Sequence, residues 1–196
     1  MKKWCVSFRI WHWLNALVMF GVFLTVLLRE TFLNKHNVAD ILTNKLALLH
    51  ISIDEAQAIT IAKAIRAPMW EWHIYLGFVV FGLWIMRMAL FQTVSGRLNY
   101  MHIKENSMHK LLVKLGYIGI YIAIFLVSAT GIAINYHDAF GITKELAHSI
   151  KELHEVCAYI ITIFVPLHII GVVIAENKDE KDIVSDMING GRLADS

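Results

Sequence analysis

Four long apolar runs alternate with polar connections along this chain. The first covers residues 10–28 and is broken mainly by His12 and Asn15; the second covers 69–91, the third 111–136, and the fourth begins near Ser149 and ends at Ala175. Each is long enough for a helix that crosses a hydrocarbon core of about 30 Å, which takes roughly 20 residues. Between the first two runs, residues 29–68 form the only long polar connection. Within it Ser52-Ile53-Asp54-Glu55 has capping-box spacing, with Ala56, Ile59, Ala64 and Ile65 following at mostly helical intervals. This predicts a short amphipathic helix that stops at Pro68. The same spacing in Ser149-Ile150-Lys151-Glu152 starts the fourth helix ahead of His154. Beyond Ala175 the tail is polar, but Ile183, Val184, Met187 and Ile188 fall on one side and Gly190 and Gly191 follow, which predicts a short surface helix.

Composition turns this pattern into a class. A chain of 196 residues that is 57% hydrophobic is too apolar for one ordinary soluble core. The expected fold is all-α, a four-helix transmembrane bundle forming a single membrane domain over 1–196, with an outer insertion at 29–68 and a cytoplasmic tail at 176–196. The first run resembles a signal peptide in position, but it is long and lacks a small-residue cleavage site, so it is read as a retained span. Lys2, Lys3 and Arg9 precede it, and Arg97, Lys104 and Lys110 outweigh Glu105 in the connection between spans two and three. The positive-inside tendency places both of these segments, and therefore both termini, in the cytoplasm. The net charge of +2 is small and the basic residues cluster by loop, which argues against a nucleic-acid partner. Cys5 and Cys157 lie in no Cys-x-x-Cys-His motif, which excludes typical covalent haem attachment, and their different depths predict no bridge between them.

The chemistry lies in the histidines. His154 and His168 are fourteen positions apart, so they share one helix face about 21 Å apart along its axis. A histidine inside lipid needs a partner, and two on one face at two depths predict two buried sites. With both termini inside, His12 matches the depth of His168, and His73 matches that of His154. Each level then holds two histidines from different helices. A haem iron takes two trans axial ligands, whereas zinc usually takes three or four, and no cysteine or carboxylate set accompanies these levels. His36 and His50 read as polar residues of the connection, and His109 and His137 as headgroup-level residues with a possible role in proton uptake. Gly116, Gly119 and Gly131 in the third span permit close packing or leave room for a macrocycle. Trp70, Trp72 and Tyr75 read as interface anchors, Arg87 as a side chain snorkelling toward the headgroups, and Pro166 as a kink beside His168.

Arg9-Ile10-Trp11-His12-Trp13-Leu14-Asn15 in the first span, Trp72-His73 in the second, and His154 with His168 in the fourth resemble the bacterial cytochrome b-561 family and related hydrogenase-type cytochrome b subunits. The resemblance covers all four spans. It implies that His12, His73, His154 and His168 are axial ligands to the iron of two non-covalent b-type haems, His12 with His168 on the inner and His73 with His154 on the outer, exchanging electrons with a quinone pool in a bacterial inner membrane. The insertion at 29–68 exceeds what a minimal four-helix member needs and leaves the outer partner open. Three functions stand at this point: a di-haem electron-transfer subunit or quinone oxidoreductase, a membrane anchor for a peripheral redox enzyme such as a hydrogenase, and a His-lined metal transporter. Catalytic residues are not assigned.

Overall fold

The computed structural model describes residues 4–92, 108–178 and 182–190, with the side chains of 91–92 and 108–110 excepted. Six helices account for almost all of the described residues: α1 (Val6–Glu30), α2 (Lys35–Ala47), α3 (Glu55–Gln92), α4 (Met108–Asn135), α5 (Lys144–Lys178) and α6 (Ile183–Asn189). No strand occurs among the described residues. Helices α1, α3, α4 and α5 are long and apolar enough to cross a membrane. Their apolar side chains are not all inside: Leu17, Phe20, Ile163 and Leu167 are well exposed. On helices of this composition such residues face lipid, which solvates them as well as a protein core does. Lys2, Lys3, Arg97, Lys104 and Glu105, on which the orientation argument leans, lie outside the described residues, as does Gly191.

Three expectations about helix ends are corrected. The short amphipathic helix does not stop at Pro68; it runs on into the second span as one 38-residue helix. Proline removes one amide and so deprives the carbonyl of Ala64 of its helical donor. One lost bond does not end a helix whose two sides are each held by burial, as Ala58 and Ala62 are on one side and Val80 and Leu83 on the other. At about 1.5 Å per residue α3 spans about 57 Å, well beyond a ~30 Å core, so its first turns project from the membrane. The cap is also displaced: Asp54 accepts from the amide of Gln57 at 2.8 Å, while the Gln57 side chain accepts from the amide of Asp54 at 3.0 Å. This is a reciprocal capping box two residues later than expected. Helix α5 likewise begins at Lys144 rather than beside Ser149, its first turn capped by the Thr143 hydroxyl, which accepts from the amide of Leu146 at 3.3 Å. Helix α2 has no counterpart in the sequence reading; Asn34 caps it by accepting from the amide of His36.

The chain divides into two compact units, residues 1–16 with 78–196, and residues 17–77. In the first, α4 packs on α5, and tryptophans join helices through backbone carbonyls. Trp11 donates to the carbonyl of Leu83 at 2.7 Å, and Trp84 to that of Tyr121 at 3.0 Å. Helix α6 is held at both ends, as the tail pattern predicts in position. The Glu176 carboxylate accepts from the amides of Asp182 and Val184, both at 3.0 Å. At the other end Arg9 and Trp13 donate to the carbonyls of Ile188 and Met187, satisfying acceptors that a helix C-terminus leaves open. Gly190 follows with φ +87°, and a Cβ there would meet the Arg9 guanidinium, so both backbone and space require glycine.

In the second unit, α2 and the first turns of α3 meet through Ala39, Ala58 and Ala62, with Val38, Ile53 and Ile59 packed around them. Small side chains let the backbones approach closely, which is how a polar connection gains a core of its own. On α1, a Cβ at Gly21 would lie 3.1 Å from Leu76 of α3.

Candidate functional site

His12 on α1 and His168 on α5 come together, their ring centroids 6.2 Å apart and their planes inclined at 59°. Metal–imidazole bonds run about 2.0–2.1 Å and a ring centre lies about 1.1 Å behind its nitrogen, so two imidazoles trans on one metal have centroids about 6.3 Å apart. The spacing therefore fits one metal between the rings. It is too long for a direct hydrogen bond between them to be the reason for the approach. Aromatic side chains surround the pair. Phe164 stacks on His168 at 5.8 Å, Tyr117 meets it edge-on at 6.3 Å, and Phe8 and Trp13 lie 6.4 and 5.5 Å from His12. The residues around His12 on α1 have separate tasks: Arg9 and Trp13, four apart, reach α6, Trp11 reaches α3, and His12 turns to α5.

Arg87 does not snorkel. It is 2% exposed, its Nε donates to the Tyr121 hydroxyl at 2.9 Å, and its guanidinium lies 4.8, 5.5 and 5.7 Å from the rings of Phe8, Trp11 and Tyr121. Ring faces attract a cation strongly once water is excluded, and that attraction competes with a reach to the headgroups. Phe8 thus touches both this buried charge and His12.

The other two histidines each sit on a threonine. His154 on α5 has its Nδ1 3.2 Å from the hydroxyl of Thr130 on α4, and that hydroxyl donates to the carbonyl of Leu126 at 2.6 Å. Gly131 gives the ring its room, because a Cβ there would lie 3.1 Å from Cε1 of His154. Of the three α4 glycines, Gly131 is the one whose space a ligand candidate fills; Gly116 faces Phe164 and Gly119 has open space. In the second unit, Nδ1 of His73 on α3 lies 2.9 Å from the hydroxyl of Thr25 on α1, which donates to the carbonyl of Val22 at 2.6 Å. Trp70 stacks on His73 at 4.5 Å with planes 5° apart, and Arg29 covers Trp70 at 4.9 Å. Trp70 is thus a support for His73, whereas Trp72 and Tyr75 are exposed.

The remaining candidates are occupied or silent. His137 directs Nδ1 at the carbonyl of Ile134 (3.1 Å) and Nε2 at the Asp138 carboxylate (3.3 Å), so both nitrogens face acceptors. The side chain of His109 is outside the described residues. Cys5 and Cys157 are free thiols, the first exposed and the second buried. Among the described residues no group of three or more His, Cys, Asp or Glu could hold a metal ion. Thr25, Thr130 and the aromatic setting of Arg87 were missed by sequence reasoning. The available signal was a threonine within an apolar span near a histidine's depth.

A multi-pass, all-helical membrane protein with facing histidines on separate spans is the class that fold and site define. Residues 3–190 match the family described as prokaryotic cytochrome b561, and the chain belongs to that family. Membership entails a b-type haem and electron transfer across the membrane. No match was found among curated proteins or among solved structures.

Proposed function

We propose that this chain is a di-haem cytochrome of a bacterial inner membrane that relays electrons to or from the quinone pool, with both termini cytoplasmic. The observation that carries the reading is the approach of the His12 and His168 rings to 6.2 Å. These two residues would hold the inner haem through their imidazoles. His73 and His154 would hold the outer one, a pairing that rests on the matching depths of their spans in the sequence. A bound b-type haem supplies reversible one-electron iron chemistry. The protein's part is to hold: two histidine ligands would saturate the iron and make it a carrier of electrons rather than a binder of dioxygen, and the rings of Phe164, Tyr117, Phe8 and Trp13 pack beside His12 and His168. The buried Arg87 charge near His12 favours added negative charge, and so favours reduction at that level.

A second reading, an electron-transfer anchor for a peripheral redox enzyme such as a hydrogenase, is favoured by Leu48, Leu49 and Ile51. They stand exposed in the turn between α2 and α3, beyond the length of α3 that a membrane requires. The purified chain decides between the two. A pyridine haemochrome assay is expected to give two haems per chain, and quinol alone is expected to reduce them. One haem per chain refutes the di-haem reading; reduction only in the presence of a partner subunit selects the anchor.

A further inference from the structure

Thr25 and Thr130 make the same local arrangement on different helices. In each, the hydroxyl oxygen lies 2.6 Å from a carbonyl of its own helix, Val22 for Thr25 and Leu126 for Thr130. In each, the same oxygen lies within hydrogen-bond distance of a histidine Nδ1, at 2.9 Å from His73 and 3.2 Å from His154, the latter also meeting the backbone of Val127. A hydroxyl has one proton and two lone pairs. At 2.6 Å from a carbonyl oxygen, that proton must lie between the two oxygens, because two unprotonated oxygens at this distance repel. The hydroxyl then has only a lone pair to offer the imidazole, so Nδ1 must carry the ring proton and donate it. A neutral imidazole protonated at Nδ1 has its lone pair on Nε2.

We infer that Thr25 and Thr130 are positioning residues which fix His73 and His154 in the Nδ1–H form and so present Nε2 of each as the metal-binding nitrogen. The inference rests on the proposed role of these two histidines as axial ligands. It goes further, because it names what sets their proton, ring angle and basicity. A helix-bonded threonine is suited to this task inside lipid. Its carbonyl bond locks the rotamer and settles the hydroxyl proton, so the oxygen acts as a fixed acceptor without the cost of a buried carboxylate. The hydrogen bond from Nδ1 raises the basicity of Nε2, which favours the ferric over the ferrous state of a bound iron. His12 and His168 have ring neighbours instead, which makes them an internal control.

The test uses Thr25→Val and Thr130→Val, close in shape but lacking the acceptor, with Thr25→Ser and Thr130→Ser as rescue, in the haem-loaded protein. Each valine variant is expected to shift the reduction equilibrium of the affected haem about threefold toward the ferrous form, near 30 mV at 59 mV per tenfold for one electron. The serine variants should restore the wild-type midpoint, and the haem at His12 and His168 should not move. Nitrogen-15 spectra of histidine-labelled protein, reduced so that the low-spin iron is diamagnetic, should show protonated Nδ1 at His73 and His154. That signal should shift in the valine variants and return in the serine variants. A merely structural role moves neither readout in this pattern. His73→Ala and His154→Ala, run in parallel, separate the two levels of the reading. Haem lost in the alanine variants, with midpoint and nitrogen-15 signals unmoved in the valine variants, overturns the threonine role alone. Haem retained in full in the alanine variants overturns the ligand assignment as well.

Discussion

Around His12 and His168 the neighbours are rings, with Phe164 stacked, Tyr117 edge-on, and Phe8 and Trp13 beside His12. Around His73 and His154 the defining neighbours are hydroxyls already committed to a helix carbonyl. Rings set where an imidazole sits through shape and exclude water, but they leave the position of its proton to other contacts. A hydroxyl with its own proton engaged does the reverse: it dictates the tautomer and leaves the packing to others, here Trp70 for His73 and Gly131 for His154. One membrane protein can thus hold the same side chain by two physical means, and each should fail in its own way.

Removing a proposed ligand breaks the comparison outright. His12→Ala or His168→Ala is expected to abolish one haem and leave the other, and His73→Ala or His154→Ala to do the converse, as optical redox titration and haem stoichiometry would read. A variant from one pair that removes the other pair's haem would refute the pairing. A smaller effect on one side only is expected from Gly131→Val. The added carbons enter the space of the His154 ring, and overpacking of this kind costs about 1–3 kcal/mol. Haem should be lost or weakened at the His154 level, with the spectrum of the His12 and His168 haem unchanged; an unchanged affinity at both levels counts against the cradle role of Gly131.

Membrane voltage should separate the two levels without any mutation. Fourteen residues of α5 between His154 and His168 span about 21 Å of a ~30 Å core, and one charge crossing the whole core is worth ~2.3 kcal/mol per 100 mV, so this partial crossing is worth about 1.5 kcal/mol, near tenfold. Proteoliposomes under a potassium-diffusion potential should show one haem oxidised relative to the other. A relative occupancy that a verified potential leaves unchanged would mean that the two irons share one depth. The smallest effect is expected from Phe164→Leu, which removes the ring stacked on His168. Such contacts are worth about 0.5–1.5 kcal/mol, so haem affinity at that level should fall severalfold while the Nδ1 signals of His73 and His154 stay put.

The spans were legible in the sequence because a bilayer leaves little choice: a run of some 20 apolar residues with few charges must be helical there. The tail helix was legible too, since Ile183, Val184, Met187 and Ile188 share a face and Gly190 closes it with a positive φ. The helix ends were not. Ser52 and Ser149 have the spacing of caps, yet Asp54 and Thr143 do the capping. Capping depends on which residue leaves helical backbone geometry first, and packing outside the helix decides that. Pro68 shows the same limit, because its local cost is outweighed by burial on both sides of it.

By itself the sequence determined a helical membrane chain with four spans and placed histidines at two depths on the fourth, through composition, periodicity and a rise of about 1.5 Å per residue. Tertiary structure brought the rings of His12 and His168, which the sequence pairs by depth, to 6.2 Å, and it alone gave His73 its neighbour Thr25 and His154 its neighbour Thr130. It also turned Arg87 inward onto Phe8, Trp11 and Tyr121 and gave residues 29–68 a core at Ala39, Ala58 and Ala62. The division has a physical cause. Membrane solvation acts on each segment separately and is written into its composition, whereas the rotation of one helix face toward another is set by the packing, hydrogen bonds and cation–π contacts that form only when distant segments meet.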